Sequence, residues 1–356
     1  MKEFEMDIKY GCLKTSPINI GEEIQEIAAK RFLPRIDDFI HREQTHKYRR
    51  ADGSKIKLIL NAWWLWKPRH FPPTEDIIPL PISMYIRKEI RGKFLTKKSR
   101  AFLSKNAPIG CRDLSTQQWL EENGIESYFS GCLTLTLQRN RQIAKQDYIL
   151  CVDADKDVVE HIKRKTSRAV YNIPVDLSHY YTLEQRMQIA NLYLNIFQSA
   201  HMVVSSRLHT ILPCLALETP VLRVVSTKCE RNIKERFSGY QDMVHSVKIE
   251  DLLEDRFEYD FEAPPKNPDK HLELRDSLIE KCKAFTQYDN SESLIIDEPY
   301  PILKLLELSA SSACQLKRVL WHARKSYLVK RWFMKCFFGR SIHDIKEQGW
   351  RGDLRE

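Results

Sequence analysis

Apolar positions along the chain follow two periods. Residues 19–33 place Ile20, Ile24, Ile27, Ala28 and Phe32 at helical spacing, which predicts a helix with one buried face. Asn19 stands where a cap belongs, and Glu22 follows three residues later as in a capping box. Short apolar or β-branched runs at 56–60, 108–111, 148–152, 169–173, 202–204 and 221–225 predict strands. Helical patterns over 155–165, 182–199 and 208–217 separate or follow the later runs. A basic helix is expected at 87–106. Another begins at a cap on Asp113 or Ser115 and stops at Asn123-Gly124. Residues 67–82 hold five prolines and are expected as an irregular loop. Alternation of strand and helix on both sides of residue 145 predicts an α/β protein of two parallel-sheet domains with a cleft between them. The expected division is residues 1–145, residues 146–300 and a tail at 301–356.

Charge changes this picture at one end only. The 356 residues carry a net charge of +9. From Gln315 onward there are 11 Lys+Arg against 4 Asp+Glu, a net of +7, so the body is nearly neutral. Between 315 and 340 the basic residues alternate with Val319, Leu320, Trp321, Tyr327, Leu328, Trp332, Phe333, Met334, Phe337 and Phe338. A basic aromatic helix of this kind can lie on an anionic bilayer, pack on the body, or bind nucleic acid. The membrane surface is the expected partner, and a nucleic acid is not. No run is apolar enough to span a membrane, and the charged start MKEFEMDIKYG has no signal-peptide core. The nine cysteines are scattered and form no metal pattern. Cys111, Cys132, Cys151 and Cys214 lie in apolar runs, so they are expected as small buried hydrophobes in a reducing cytoplasm.

The densest candidate chemistry is HMVVSSRLHT at 201–210. A strand stops at Ser205-Ser206, and Arg207 and His209 follow at the start of a helix. Open α/β sheets bind ligands at this position, and free helical amides there favour anions. A fixed cation with an imidazole suits a phosphorylated or carboxylated substrate; a surface ion pair and a helix cap are the plainer reading. PIGCRD at 108–113 puts Arg112 at a second strand-to-helix turn, where it is either a second anion clamp or a partner of Asp113. SGCLTLT at 130–136 offers Ser130 to a phosphate or a sugar, and equally reads as a half-buried strand. Tyr10-Gly11 through Asn19-Ile20-Gly21 reads as a glycine loop feeding a helix. Asn61 to Trp66 holds three tryptophans, which stack on sugars or fill cores. Motifs for P-loop, nicotinamide, serine-hydrolase and zinc-protease chemistry are missing.

With those residues in view, the chain resembles the polysaccharide pyruvyltransferase family. The resemblance rests on NIG-x-x-IQ (Asn19 to Gln25), N-x-W (Asn61, Trp63), PIGCRD-x-x-T (Pro108 to Thr116), YFSGCLTLTL (Tyr128 to Leu137) and SSRLHT (Ser205 to Thr210), in that order. Glu22 stands where many relatives have Asp, and Ala62 where many have Gly. The resemblance implies a GT-B-like fold of two Rossmann-like domains. It implies transfer of a pyruvyl group from phosphoenolpyruvate to two hydroxyls of one sugar, forming a ketal without metal or organic cofactor. His209 would act as the acid or as a phosphate donor. Arg207, Arg112 and Ser206 would hold phosphoenolpyruvate, and Asn61, Trp63, Ser130 and Asn19 would face the acceptor. The expected acceptor is a lipid-linked glycan of capsule or exopolysaccharide assembly, at the cytoplasmic face of the membrane. A nucleotide-sugar glycosyltransferase on the same fold, or a non-catalytic membrane-associated assembly protein, are the alternatives.

Overall fold

Strand β1 (Lys9–Lys14) forms the centre of the first sheet, where the sequence reading expected a glycine loop. Gly11 is needed there for space. A Cβ on it would lie 3.0 to 3.2 Å from Ile40, Ile56 and Leu58 on the flanking strands. The computed structural model describes residues 8–15, 19–61, 63–176, 182–226 and 235–297. In the first half, β1 is followed by α1 (Gly21–Lys30), β2 (Asp38–His41), β3 (Ile56–Ile59), β4 (Trp63–Trp64), β5 (Ile77–Leu80) and β6 (Tyr85–Ile86). Then come α2 (Lys88–Phe94), α3 (Lys97–Lys105), β7 (Ile109–Cys111), α4 (Leu114–Glu122) and β8 (Ser127–Phe129). The four long strands pair in parallel in the order β2-β1-β3-β5. The chain beyond β5 pairs onward with β7 through Gly110 N to Pro81 O (2.9 Å) and Met84 N to Gly110 O (2.9 Å).

Three expectations fail locally here. The proline-rich stretch contains β5, because Pro79 occupies a position that need not donate to β3. Asp76 O and Leu80 O accept from Ile56 and Leu60 (both 2.9 Å), so the even-numbered residues face that neighbour. The basic helix at 87–106 is two helices. Thr96 breaks it by capping α3, accepting from Ser99 N at 3.1 Å. The capping box on α1 is not formed. Ile20 is the cap, and the Glu22 carboxylate instead binds Arg42 at 2.8 Å.

The second half runs β9 (Tyr148–Val152), α5 (Lys156–Lys165), β10 (Ala169–Ile173), α6 (Leu183–Ser199), β11 (Met202–Ser205), α7 (Leu208–Ala216), β12 (Val221–Val225), β13 (His245–Lys248), α8 (Ile249–Leu253) and α9 (His271–Thr286). Its five strands are all parallel in the order β10-β9-β11-β12-β13. The strand order reverses between β9 and β11, which makes their carboxyl ends the place where such sheets bind ligands. Each sheet has its own core. One is built on Leu13, Ile56, Leu58, Trp64, Phe94 and Ile109, the other on Ile149, Cys151, Val158, Val204, Leu222 and Val224. The fold is thus the expected α/β class with two Rossmann-like parallel sheets. Cys111, Cys132, Cys151 and Cys214 are buried thiols, as expected.

Helix α1 joins the two halves. It packs on β1 and also on α6 and α7. Ile20 N donates to Val175 O at 3.0 Å, and Glu23 pairs with Arg186 of α6 at 2.9 Å. The chain also returns from the second half to the first after β13. Lys57 Nζ donates to Phe285 O (2.7 Å) at the end of α9, and Arg31 grips Asp289 with two nitrogens (2.8 and 3.2 Å). Residues Met1–Pro299 form one compact unit. The basic segment 315–340 lies outside the described residues.

Candidate active site

On the second sheet, Ser205 ties two strand ends together. Its hydroxyl donates to Val152 O of β9 (2.9 Å) and accepts from Arg207 N (3.0 Å). Arg207 is the residue before α7. Its Nε donates to Asp153 Oδ2 at 2.8 Å, and its side chain remains 44 % exposed. Asp153 follows β9 in a left-handed conformation (φ 49°). Burial raises its carboxyl above the usual range, and Arg207 beside it opposes that rise. Beyond β10, Asp176 accepts from Asn19 Nδ2 at 3.1 Å, while Asn19 Oδ1 accepts from Gly21 N at 2.9 Å. Asn19 therefore anchors the start of α1 to the carboxyl edge of the second sheet.

On the first half, side chains form a row across neighbouring strand ends. Trp63 is in register with Tyr85. Met84 is bridged to Cys111, which sets Tyr85 beside Arg112. Cys111 is in register with Phe129, which sets Ser130 beside Arg112. Register partners project to the same side of a sheet. Trp64 and Ile86, one residue on, point into the core and are fully buried. Arg112 is 2 % exposed, and its guanidinium stacks on Tyr85 at 4.5 Å. One nitrogen makes a long bond to Gln25 Oε1 (3.5 Å). Its Nε has no partner, and Arg112 makes no ion pair among the described residues. Arg236 lies over the same Tyr85 ring at 5.5 Å.

The two edges meet at His209. A Cβ on Gly21 would sit 2.8 Å from His209 Cβ and Nδ1, so only glycine lets α1 come this close. The imidazole Nε2 is sealed from solvent without a hydrogen-bond partner among the described residues. Burial pushes the imidazole well below its usual range, and Arg112 and Arg236 push the same way. His209 is therefore neutral at neutral pH. A buried polar group left unmatched costs about 1–3 kcal/mol, and a buried charge without a partner costs more. Arg112 Nε and His209 Nε2 are two such groups at one place, with a second guanidinium nearby. An anion that accepts hydrogen bonds would satisfy both. Gly21→Ala is expected to push α1 and α7 apart, destabilising the fold by about 1–3 kcal/mol. Urea denaturation checks this; an unchanged midpoint would show that the contact is loose.

Comparison with known proteins shows the family. Residues 19–228, more than half of the chain, match the family model described as polysaccharide pyruvyl transferase. The chain belongs to that family. It is a pyruvyl transferase of polysaccharide biosynthesis. Solved structures are more distant. An uncharacterised protein of Klebsiella pneumoniae is 14 % identical over 68 % of this chain and 92 % of its own, with a TM-score of 0.41. The UDP-GlcNAc 2-epimerase of Methanocaldococcus jannaschii, solved with UDP-GlcNAc and UDP, is 8 % identical over 85 % of this chain and 99 % of its own (TM-score 0.33). Another UDP-N-acetylglucosamine 2-epimerase is 11 % identical over 80 % and 92 % (TM-score 0.35). A comparison with curated protein sequences finds no match.

The five resembling segments of this pyruvyl transferase all reach the two strand edges or α1 between them. Ser206, Arg207 and His209 stand at the second edge, and Trp63, Arg112 and Ser130 at the first, with Asn19 at the junction. Asn61 and Ser130 are buried, with their bonding used internally. Asn61 Nδ2 donates to Gln25 O of α1 (3.0 Å). The Ser130 hydroxyl accepts from Ser83 N (3.1 Å) and lies 3.0 Å from both Cys111 O and Gly131 O. They shape the edge from within. Residues that sequence reasoning passed over are Tyr85, Asp153, Asp176, Arg236 and the acids Glu23 and Glu26. Asp153 and Asp176 follow strands just as Arg207 does, so the same positional signal was present for them. Glu23 and Glu26 lie outside the apolar stripe of Ile20, Ile24, Ile27, Ala28 and Phe32. They are 0 % and 3 % exposed, because α1 is covered from both halves. Burial raises both, and Arg186 opposes it; Glu23 is pushed up to about 7. Among the described residues no helix is long and apolar enough to cross a membrane.

Proposed function

We propose that the donor is phosphoenolpyruvate and that its anionic groups bind Arg112, Arg236 and His209, with Arg207 and Ser206 nearby. The supporting observation is the pair of unmatched groups, Arg112 Nε and His209 Nε2, buried where the two strand edges meet. Phosphoenolpyruvate brings a phosphate and a carboxylate, which such cations bind strongly. Its negative charge raises the His209 pKa, so the imidazole takes up a proton as the donor binds. That proton goes to the vinyl CH2, which becomes the methyl group, and the adjacent carbon becomes electrophilic. One sugar hydroxyl adds there and releases its proton. The carbon–oxygen bond to phosphate then breaks, and a second hydroxyl of the same sugar closes the ketal. Of the two hydroxyl protons, one replaces that spent on the vinyl carbon and the other leaves with phosphate.

The reaction needs no metal or organic cofactor in this reading. The acceptor is a lipid-linked glycan, and the protein works peripherally at the cytoplasmic membrane face through its basic aromatic segment 315–340. Phosphate release from phosphoenolpyruvate tests the reading, measured with a panel of lipid-linked glycans. The expected result is release with one glycan and none without acceptor. No release with any glycan, together with a thermal shift by a nucleotide sugar, would overturn it in favour of glycosyl transfer.

A further inference from the structure

The row of side chains on the first edge does not end at Arg112. Two strands away stands Trp63, and strand spacing of about 4.8 Å puts it about 10 Å from Arg112, the width of a sugar ring with its substituents. Trp63 and Trp66 meet edge to face, with centroids 4.3 Å apart and planes at 80°. Together they make a corner. Trp66 is 61 % exposed, one of three large apolar side chains exposed among the described residues. The corner is held rigid from behind. Arg42 lies over Trp63 at 5.1 Å and is itself fixed by Glu22 at 2.8 Å and Glu43 at 3.6 Å. Glu43 also accepts from Trp66 N at 3.1 Å.

One cation at this corner is held loosely. Arg87 lies over both rings, 5.5 Å from Trp63 and 5.3 Å from Trp66. Among the described residues its ion pair is with Glu89, 3.0 Å from Nε and 43 % exposed. A surface pair of this kind contributes about 0–1 kcal/mol, so an arriving anion can compete for the guanidinium. An exposed aromatic corner with a planar cation beside it stacks the apolar face of a sugar ring and takes a carboxylate or phosphate in bidentate fashion.

Resting on the pyruvyl-transfer reading above, we propose that Trp63, Trp66 and Arg87 form the acceptor subsite, and that it selects a sugar carrying an anionic group. The carboxylate of a uronic acid and the phosphate of a sugar phosphate share this chemistry.

Tryptophan fluorescence titration of the full chain tests the subsite. The probes are methyl glucuronoside, glucose 1-phosphate and methyl glucoside, with native protein, Arg87→Gln and Trp66→Ala. At least one acidic probe is expected to bind about tenfold tighter than the neutral one. Arg87→Gln removes that preference, and Trp66→Ala weakens all three probes. Preference for the glucuronoside alone supports the proposal with a uronic acid, and preference for the phosphate alone supports it with a phosphorylated sugar. Equal binding of acidic and neutral probes, no binding of any probe, or a preference that survives Arg87→Gln would overturn it. A thermal shift with phosphoenolpyruvate is read on the same samples. Its absence in native protein counts against the donor assignment and leaves the titration to decide the subsite.

Discussion

His209→Gln is expected to reduce phosphate release from phosphoenolpyruvate by about 10²–10⁴-fold, the usual contribution of a positioned proton donor. Glutamine fills similar space and offers an amide to the same ligand, but it cannot transfer a proton. Binding therefore survives better than turnover, and the loss falls mainly on kcat. A pH profile identifies the cause. Free His209 is held neutral by burial and by Arg112 and Arg236, so it binds fewer protons than an ordinary imidazole below about pH 6.5. The bound donor reverses this, and binding takes up a proton. Proton uptake on binding makes affinity fall as pH rises, by up to about tenfold per pH unit between the free and bound pKa values. Ionisation of the donor's own phosphate acts in the opposite sense, and it is common to both proteins. The difference between native and His209→Gln profiles isolates the histidine. Identical profiles for the two proteins would exclude His209 as the proton carrier.

Arg112→Met is expected to move activity and stability in opposite directions. Donor affinity should fall by about 10–100-fold, the worth of a charge-assisted hydrogen bond or two. The unliganded protein should become more stable, by about 1–3 kcal/mol, the cost of a buried polar group left unmatched. Arg112 is 2 % exposed and makes no ion pair among the described residues. Its stem and its stacking on Tyr85 are reproduced by the unbranched methionine, while the desolvated charge disappears. A structural arginine behaves otherwise: truncating a buried ion pair destabilises by about 3–5 kcal/mol. Thermal melts of both proteins with and without phosphoenolpyruvate separate the cases. A lower melting temperature for free Arg112→Met would assign Arg112 to the fold and not to the ligand.

How far the site was legible depended on where its residues fall in the pattern. Ser206, Arg207, His209 and Arg112 each follow a short apolar strand, and a strand end in a parallel sheet is a ligand position wherever it occurs. The same signal stood before Asp153 and Asp176, which were passed over; a lone Asp after a strand is also an ordinary turn residue. Tyr85 falls between the stretch 67–82, read as loop, and the basic helix expected from 87, where no element was expected; proline in 67–82 was scored by what it breaks. In β5, Pro79 breaks nothing, because its nitrogen faces away from the strand that needs a donor. Thr96 likewise read as part of one long basic helix, while its hydroxyl cap cuts that helix in two. Residues 315–340 had the clearest compositional signal and lie outside the described residues.

The sequence by itself determined the α/β class, most strand and helix positions of the second half, the family and the first-choice cation and imidazole. These follow from local periodicity and from motifs whose spacing places a side chain at a strand end. Only the tertiary structure decided which of those ends face each other. It brought His209 against Gly21, left Arg112 Nε buried without a hydrogen-bond partner among the described residues, buried Glu23 and Glu26 under two layers, and turned Asn61 and Ser130 inward. Each of these depends on contacts between residues far apart in the chain, such as His209 with Gly21 or Arg186 with Glu23. Local propensity does not encode such pairs, and the burial they produce is what shifts a proton or leaves a charge unmatched.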